Sequence, residues 1–151
     1  MAVSFPSLAF FEALRQRTLD DAAVFEKLGY CDTSFGVRIG DELYSIHFEV
    51  YECTKVAAEP SGSTGQGGDA SQLDFVLAAP RALWCEMIES IVKNRGADAA
   101  HTLNTLSHLG DRLKVEYADA EGHDKFYRFM ASIQEFFDQA RDVDVAITAQ
   151  G

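Results

Sequence analysis

Apolar positions in the first thirty residues recur every three or four residues, as on one face of a helix. Pro6 favours a helix start, because its fixed φ suits the first helical position. Asp20 or Asp21 can cap a second, short helix, and Gly29 can end it. The apolar faces are Leu8, Phe10, Phe11 and Leu14 in the first helix, and Val24, Phe25 and Leu28 in the second.

From residue 35 the apolar period changes from about 3.6 to two, which is typical of a half-buried strand. Gly40 and Asp41 separate two such alternating runs and predict a β-hairpin. A third, weaker strand is predicted over residues 53–58. The apolar members are Phe35, Val37 and Ile39 before the turn, and Tyr44, Ile46, Phe48 and Val50 after it.

Residues 59–72 are rich in Gly and Ser and predict a flexible loop between strands. Residues 73–79 then predict a further strand. Its Val76 and Ala78 fall on the face where the other strands carry polar groups, so we expect this strand to be central in the sheet.

The second half of the chain is mainly helical in pattern. Pro80 and Gly96 bound the clearest amphipathic helix, and a second is predicted over residues 99–109. A short strand follows at residues 113–117, and Gly122 marks the start of one long final helix. That last helix has the apolar stripe Phe126, Phe129, Met130, Ile133, Phe136, Phe137 and Ala140.

This order predicts an α+β fold, with a single mostly antiparallel sheet, a β-meander, and helices packed on one face. A length of 151 residues favours one domain. We expect residues 1–30 to be an N-terminal helical segment of the same domain, 31–141 its α+β body, and 142–151 a frayed tail.

Charge and cysteine content narrow the function classes. A net charge of −11 without a Lys/Arg cluster disfavours nucleic acid as a partner. No apolar run approaches the roughly 20 residues that span a bilayer, and we expect no signal peptide and no membrane insertion. Three widely spaced cysteines indicate reduced thiols and a cytoplasmic location.

Candidate chemical motifs are weak. The Gly-rich loop lacks the lysine and the following helix that a phosphate cradle needs. His101 and His108 are seven residues apart, about 10 Å along a helix, too far for one metal ion. His47 shares a strand face with other polar residues, and Cys85 lies near a helix start, but solvated and semi-buried roles explain both. We therefore predict no catalytic residue, no metal ligand and no cofactor.

Three segments carry a family resemblance: FGVRIGDELYSIHFEV, LDFVLAAPRALWCEMIESI and LGDRLKVEY. Over roughly residues 35–140 the chain resembles the sterol carrier protein type-two family of lipid-binding domains. The resemblance implies a sheet covered by helices, with an apolar tunnel between them. It also implies non-covalent binding of sterols, fatty acyl chains or similar molecules.

By pattern alone, the apolar stripes of the last helices form either a packed core or the wall of a pocket. With the resemblance, we predict non-enzymatic binding or carriage of an apolar small molecule in an internal hydrophobic cavity. Two alternatives stay open: an acidic, dimeric chaperone of the type III secretion kind that binds a partner protein, and an isomerase-type enzyme of the cone fold. The residues predicted to line the cavity are Trp84, Met87, Ile88, Ile91, Leu106, Phe129, Met130 and Ile133.

Overall fold

The computed structural model describes residues 2–59, 73–96, 102–103, 106, 112–117 and 120–147. The predicted loop at 59–72 and the predicted helix at 99–109 lie largely outside these residues. In chain order the elements are β1 Val3–Phe5, α1 Leu8–Asp20, α2 Ala22–Leu28, β2 Thr33–Ile39, β3 Glu42–Glu49, β4 Glu52–Glu59, β5 Phe75–Ala79, α3 Arg81–Asn94, β6 Lys114–Glu116, α4 Ala120–Arg128, α5 Met130–Asp138, a 3-10 turn Gln139–Asp142 and β7 Val145–Ile147.

The main sheet has five strands in the order β4-β3-β2-β5-β6. The predicted hairpin of β2 and β3 is confirmed, and Gly40 in its turn has a φ of 61°, a conformation that glycine adopts without strain. The strand β5 lies between β2 and β6, as its mixed apolar pattern predicted. It runs parallel to β2 and antiparallel to β6, so the meander is limited to three strands.

One face of the sheet is buried beneath the helices, and we call it the first face. Aromatic contacts tie the layers together: Phe48 lies 5.4 Å from Phe136 on α5, and Phe75 lies 5.5 Å from Phe126 on α4, between ring centroids. The α+β class with a mostly antiparallel sheet is thereby confirmed. The first face consists of Phe35, Val37, Ile39, Tyr44, Ile46, Phe48, Phe75 and Leu77, all buried.

The opposite side of the sheet, the second face, is more polar. It carries every other residue of the same strands, because side chains alternate between the two faces of a sheet. Its members on the central strands and β6 are Ser34, Gly36, Arg38, Leu43, Ser45, His47, Val76, Ala78, Lys114 and Glu116.

Several local predictions need correction. Ser7, not Pro6, starts α1, because its hydroxyl accepts a hydrogen bond from the Phe10 amide at 3.1 Å. The predicted long final helix is divided at Phe129, whose backbone φ and ψ of −105° and 12° interrupt the helix between α4 and α5.

The predicted frayed tail from residue 142 is also wrong for part of that segment. Residues 145–147 form β7, which pairs in parallel with β1, so there is a two-stranded sheet besides the main one. The strands β1 and β7 therefore lie side by side, and α1 packs against both β1 and β4. Among the described residues, no helix is both long and apolar enough to span a bilayer.

Candidate functional site

The eight residues predicted to line a cavity all belong to the helical layer or pack against it. Six are buried with at most 2% of their surface exposed, whereas Phe129 and Met130 are only partly buried. The six are Trp84, Met87, Ile88, Ile91, Leu106 and Ile133. All eight contact one hydrophobic cluster, so the structure brings them into the same region above the first face.

The Trp84 side chain is fixed by one hydrogen bond and one aromatic contact. Its indole Nε1 donates a hydrogen bond to the backbone oxygen of Arg38 at 2.8 Å. Its ring centroid lies 5.5 Å from that of Phe137. A buried indole N–H needs such an acceptor, which explains why α3 approaches the end of β2 at this residue.

The junction between α4 and α5 is where this layer reaches the surface. Phe129 and Met130 lie at the break, partly buried and packed against the core. The guanidinium of Arg128 stacks over the Phe129 ring, 5.7 Å from its centroid. Backbone hydrogen bonds continue across the break, since the Phe129 amide donates to the Lys125 oxygen and the Ile133 amide donates to the Phe129 oxygen, both at 3.0 Å.

A polar groove of about 400 Å³ lies elsewhere, at the start of β2 on the second face. There the imidazole Nδ1 of His47 is 2.7 Å from the hydroxyl of Ser34. The carboxylate of Asp74 accepts hydrogen bonds from the Thr33 hydroxyl at 2.7 Å and the Ser34 amide at 3.1 Å, and it pairs with Lys125 at 3.2 Å.

These contacts connect the segment before β5 with β2 and α4, and they do not form the arrangement that activates a nucleophile. A nucleophilic serine needs a base that a third group orients, and Asp74 bonds the backbone and hydroxyl of β2 rather than the imidazole. The sequence placed His47 beside Ser45, Glu49 and Tyr51 on its own segment. Its actual partner, Ser34, depends on the β2–β3 register.

The three thiols are buried and unpaired with one another. Burial raises the pKa of Cys31 and of Cys53 to about 12, and it also raises the pKa of Cys85. A nucleophilic cysteine needs the opposite shift, so the small semi-buried role expected for Cys85 fits its surroundings. Within the described parts of the chain, no group of three His, Cys, Asp or Glu side chains could hold a metal ion, and His101 and His108 lie outside those parts.

A second groove of about 400 Å³ lies at the other end of the second face, where β2 and β5 end. Neither groove is lined by any of the eight predicted residues. Sequence reasoning missed both, because each joins residues of strands that are distant along the chain. The lining of the second groove is Arg38, Gly40, Ala78, Ala79, Pro80, Arg112, Lys114 and Glu116.

Two solved structures are similar to this chain over nearly their whole length. A crystal structure of sterol carrier protein 2 superposes with a TM-score of 0.64 at 14% identity, and the match covers 91% of this chain and 97% of that one. The chain has the sterol carrier protein 2 fold. A solution structure of a Thermus thermophilus protein, described as a possible sterol carrier protein, has a TM-score of 0.57 at 15% identity and covers 95% and 92% of the two chains.

The sterol carrier protein 2 fold is therefore shared as an architecture, with little sequence in common. No family model and no curated protein matches the chain. Since the similarity lies in the backbone, the resemblance read from three short sequence segments is confirmed for the fold, and any shared ligand has to be argued from the residues themselves.

Proposed function

We propose that this protein binds or carries an apolar small molecule, a sterol, a fatty acyl chain or a similar lipid, without catalysing a reaction. The ligand would lie in an internal hydrophobic cavity between α3, α5 and the first face. The named fold neighbours support this proposal, since the sterol carrier protein 2 structure is matched over 97% of its length.

The observation that carries the proposal is the partly buried pair Phe129 and Met130 at the break between α4 and α5. Ile133 on α5 and Met87 on α3 are fully or almost fully buried in the hydrophobic cluster against which this pair packs. In this proposal the ligand exchanges places with the side chains at the break. Methionine suits such a position, because its flexible thioether repacks at low cost.

The energy of such a site comes from apolar transfer. Each buried CH₂ of a ligand contributes roughly 0.8 kcal/mol before the ligand and the displaced side chains are ordered. A saturated chain of a dozen carbons thus provides about 10 kcal/mol of gross transfer energy, and an ordering cost of about 4 kcal/mol leaves about 6 kcal/mol, a dissociation constant of tens of micromolar. No charged side chain needs to take part.

The test is a titration of Trp84, the single tryptophan of the chain, with a fluorescent sterol and a fluorescent fatty acid. We expect saturable energy transfer from Trp84 to at least one probe, because Trp84 lies in the helical layer that would hold the ligand. Native mass spectrometry of freshly purified protein should show an added mass corresponding to a lipid. Flat titrations with both probes and an apo mass would refute the proposal.

A matched pair of variants locates the site. Met130→Gln should weaken probe binding about tenfold, because it places an amide at the partly buried helix break. Leu28→Gln is the control, since Leu28 on α2 is 41% exposed. Equal affinities for both variants would place the ligand away from α5.

The same mass spectrum tests the chaperone alternative, and loss of turnover in His47→Ala would test the isomerase alternative. A dimer with a co-purified protein would favour the secretion-type chaperone, and a homodimer or protein partner remains open in our proposal. An isomerase of the cone fold would need His47, which lies in the polar groove on the second face. A cytoplasmic location is part of the same proposal, and the absence of a disulfide among the three cysteines supports it.

A further inference from the structure

The groove at the ends of β2 and β5 has walls that follow directly from the strand register. Arg38 on β2 pairs with Ala78 on β5, and Ala78 pairs with Lys114 on β6. Neighbouring strands lie about 4.8 Å apart, so the backbones of Arg38 and Lys114 are about 10 Å apart. Two long basic side chains thus flank the small methyl group of Ala78, which leaves a trough between them.

This trough is basic in an otherwise acidic protein. The whole chain has a net charge of −11, yet three of the four charged residues that line the groove are basic. The guanidinium of Arg38 is bonded by the carboxylate of Glu116, and Arg112 pairs with Glu86 at 3.3 Å. Within the described ranges, no carboxylate lies in ion-pair distance of Lys114.

The floor of the groove is apolar and small. Gly40, Ala78, Ala79 and Pro80 line it below the basic side chains. The volume of about 400 Å³ is at the lower end of the range for small-molecule sites. An apolar floor with a few convergent cations fits an organic anion with a compact apolar body better than it fits a bare inorganic ion.

We propose that this groove binds a small organic carboxylate, whose charged group bridges Arg38 and Lys114 and whose apolar body lies on Ala78 and Pro80. The guanidinium of Arg38 already donates a hydrogen bond to the carboxylate of Glu116, so its geometry suits a carboxylate partner. The Glu116 carboxylate therefore resembles the proposed ligand group and competes with it for Arg38. The proposal is independent of lipid binding, because none of the residues that line the groove is among the eight predicted to line the lipid cavity.

The test compares benzoate with benzamide, two flat molecules of the same size that differ in charge. Each is titrated into ¹⁵N-labelled protein, and the backbone amides of Arg38, Ala78 and Lys114 are followed with the indole N–H of Trp84. That N–H donates to the Arg38 oxygen at 2.8 Å, so it reports on the wall of the groove. We expect saturable shifts with benzoate only, weakening about threefold between 50 and 200 mM salt, since screening reduces exposed charge attraction.

Three variants separate the roles. Lys114→Ala should weaken benzoate binding about fivefold, and Glu116→Gln should strengthen it about threefold because it frees Arg38. Lys93→Ala removes an exposed cation of α3 outside the groove and should change nothing. All three positions are exposed, so the variants should fold.

Other outcomes would overturn the proposal. If benzamide gave shifts equal to those of benzoate, the charge of the ligand would not matter for binding. If inorganic phosphate shifted these amides as strongly as benzoate, the apolar floor would not matter. An unchanged affinity for benzoate in Lys114→Ala would show that Lys114 does not bind the carboxylate. A sterol titration that succeeds or fails at Trp84 leaves these results untouched, because neutral sterols carry no charge for Arg38 or Lys114.

Discussion

Replacing Gly122 by alanine tests how closely α4 approaches the main sheet. A Cβ built on Gly122 would lie 2.0 Å from the backbone oxygen of Asp74 and 3.3 Å from the Cβ of Tyr117. Carbon and oxygen atoms normally stay more than 3 Å apart, so α4 would have to move away from the segment before β5 by about 1 Å. A backbone carbonyl cannot rotate aside as a side chain can.

The expected cost follows from what that movement would disturb. The contacts of α4 with this part of the sheet include the ion pair of Lys125 with Asp74 at 3.2 Å and the edge-to-face contact of Phe126 with Phe75, 5.5 Å between ring centroids. Overpacking costs about 1–3 kcal/mol, and weakening these contacts adds about 1 kcal/mol. Alanine would return about 1 kcal/mol through its better helix propensity. We therefore expect Gly122→Ala to lower the free energy of unfolding by about 1–3 kcal/mol.

Urea unfolding followed by Trp84 fluorescence and by circular dichroism measures this change, and the melting temperature should fall by about 3–10 °C. Gly36→Ala is the matched control on β2. A Cβ there would meet only the ends of the Leu73, Leu43 and Val76 side chains, at 2.9–3.1 Å. These ends can shift, so its cost should stay below about 1 kcal/mol. A Gly122→Ala protein as stable as the wild type, or more stable, would refute the close approach of α4.

Three further changes should give definite results. Val50→Asn should raise the free energy of unfolding by about 1 kcal/mol in urea, because Val50 has a φ of 62° that a β-branched residue adopts with strain and asparagine tolerates; no gain would contradict that turn geometry. Trp84→Phe should lower it by about 2–3 kcal/mol, since the Arg38 oxygen loses its donor and a void is left; a change below about 1 kcal/mol would contradict the contact. Burial raises the pKa of Cys31 and Cys53 to about 12, above an unfolded value of about 8.5. Above pH ~8.5 the unfolded chain loses these thiol protons while the folded protein keeps them, so the free energy of unfolding should fall by about 1.4 kcal/mol per thiol for each further pH unit. Urea unfolding from pH 7 to 10 measures this fall, and a flat profile would contradict it.

The pattern of apolar positions predicted the local elements well where one periodicity dominates. The alternation around Gly40 predicted the β2–β3 hairpin, and the stripe after Pro80 predicted α3, because burial of one face imposes that period on the sequence. The break at Phe129 was missed, since the apolar stripe continues through it without change. The strand β7 was missed because three residues carry too little pattern to be distinguished from a tail.

The two grooves could not be predicted, for a different reason. Each joins residues whose proximity depends on pairing between distant strands. Ser34 meets His47 through the β2–β3 register. Arg38 and Lys114 line the same groove because β5 lies between β2 and β6 and places Ala78 between them. A shift of one residue in any of these registers would move the side chains to the other face of the sheet.

The sequence by itself determined that this chain is an acidic α+β domain, where its hairpin turns, and which face of β2, of β3 and of α3 is apolar. These properties are local, because the spacing of apolar residues along one element follows from the geometry of that element alone. The tertiary structure decided that β5 runs parallel to β2, that β7 pairs with β1, and that basic side chains flank Ala78. Those features depend on packing between segments tens of residues apart, where the energy of the whole core selects one register among several that the local pattern allows equally well.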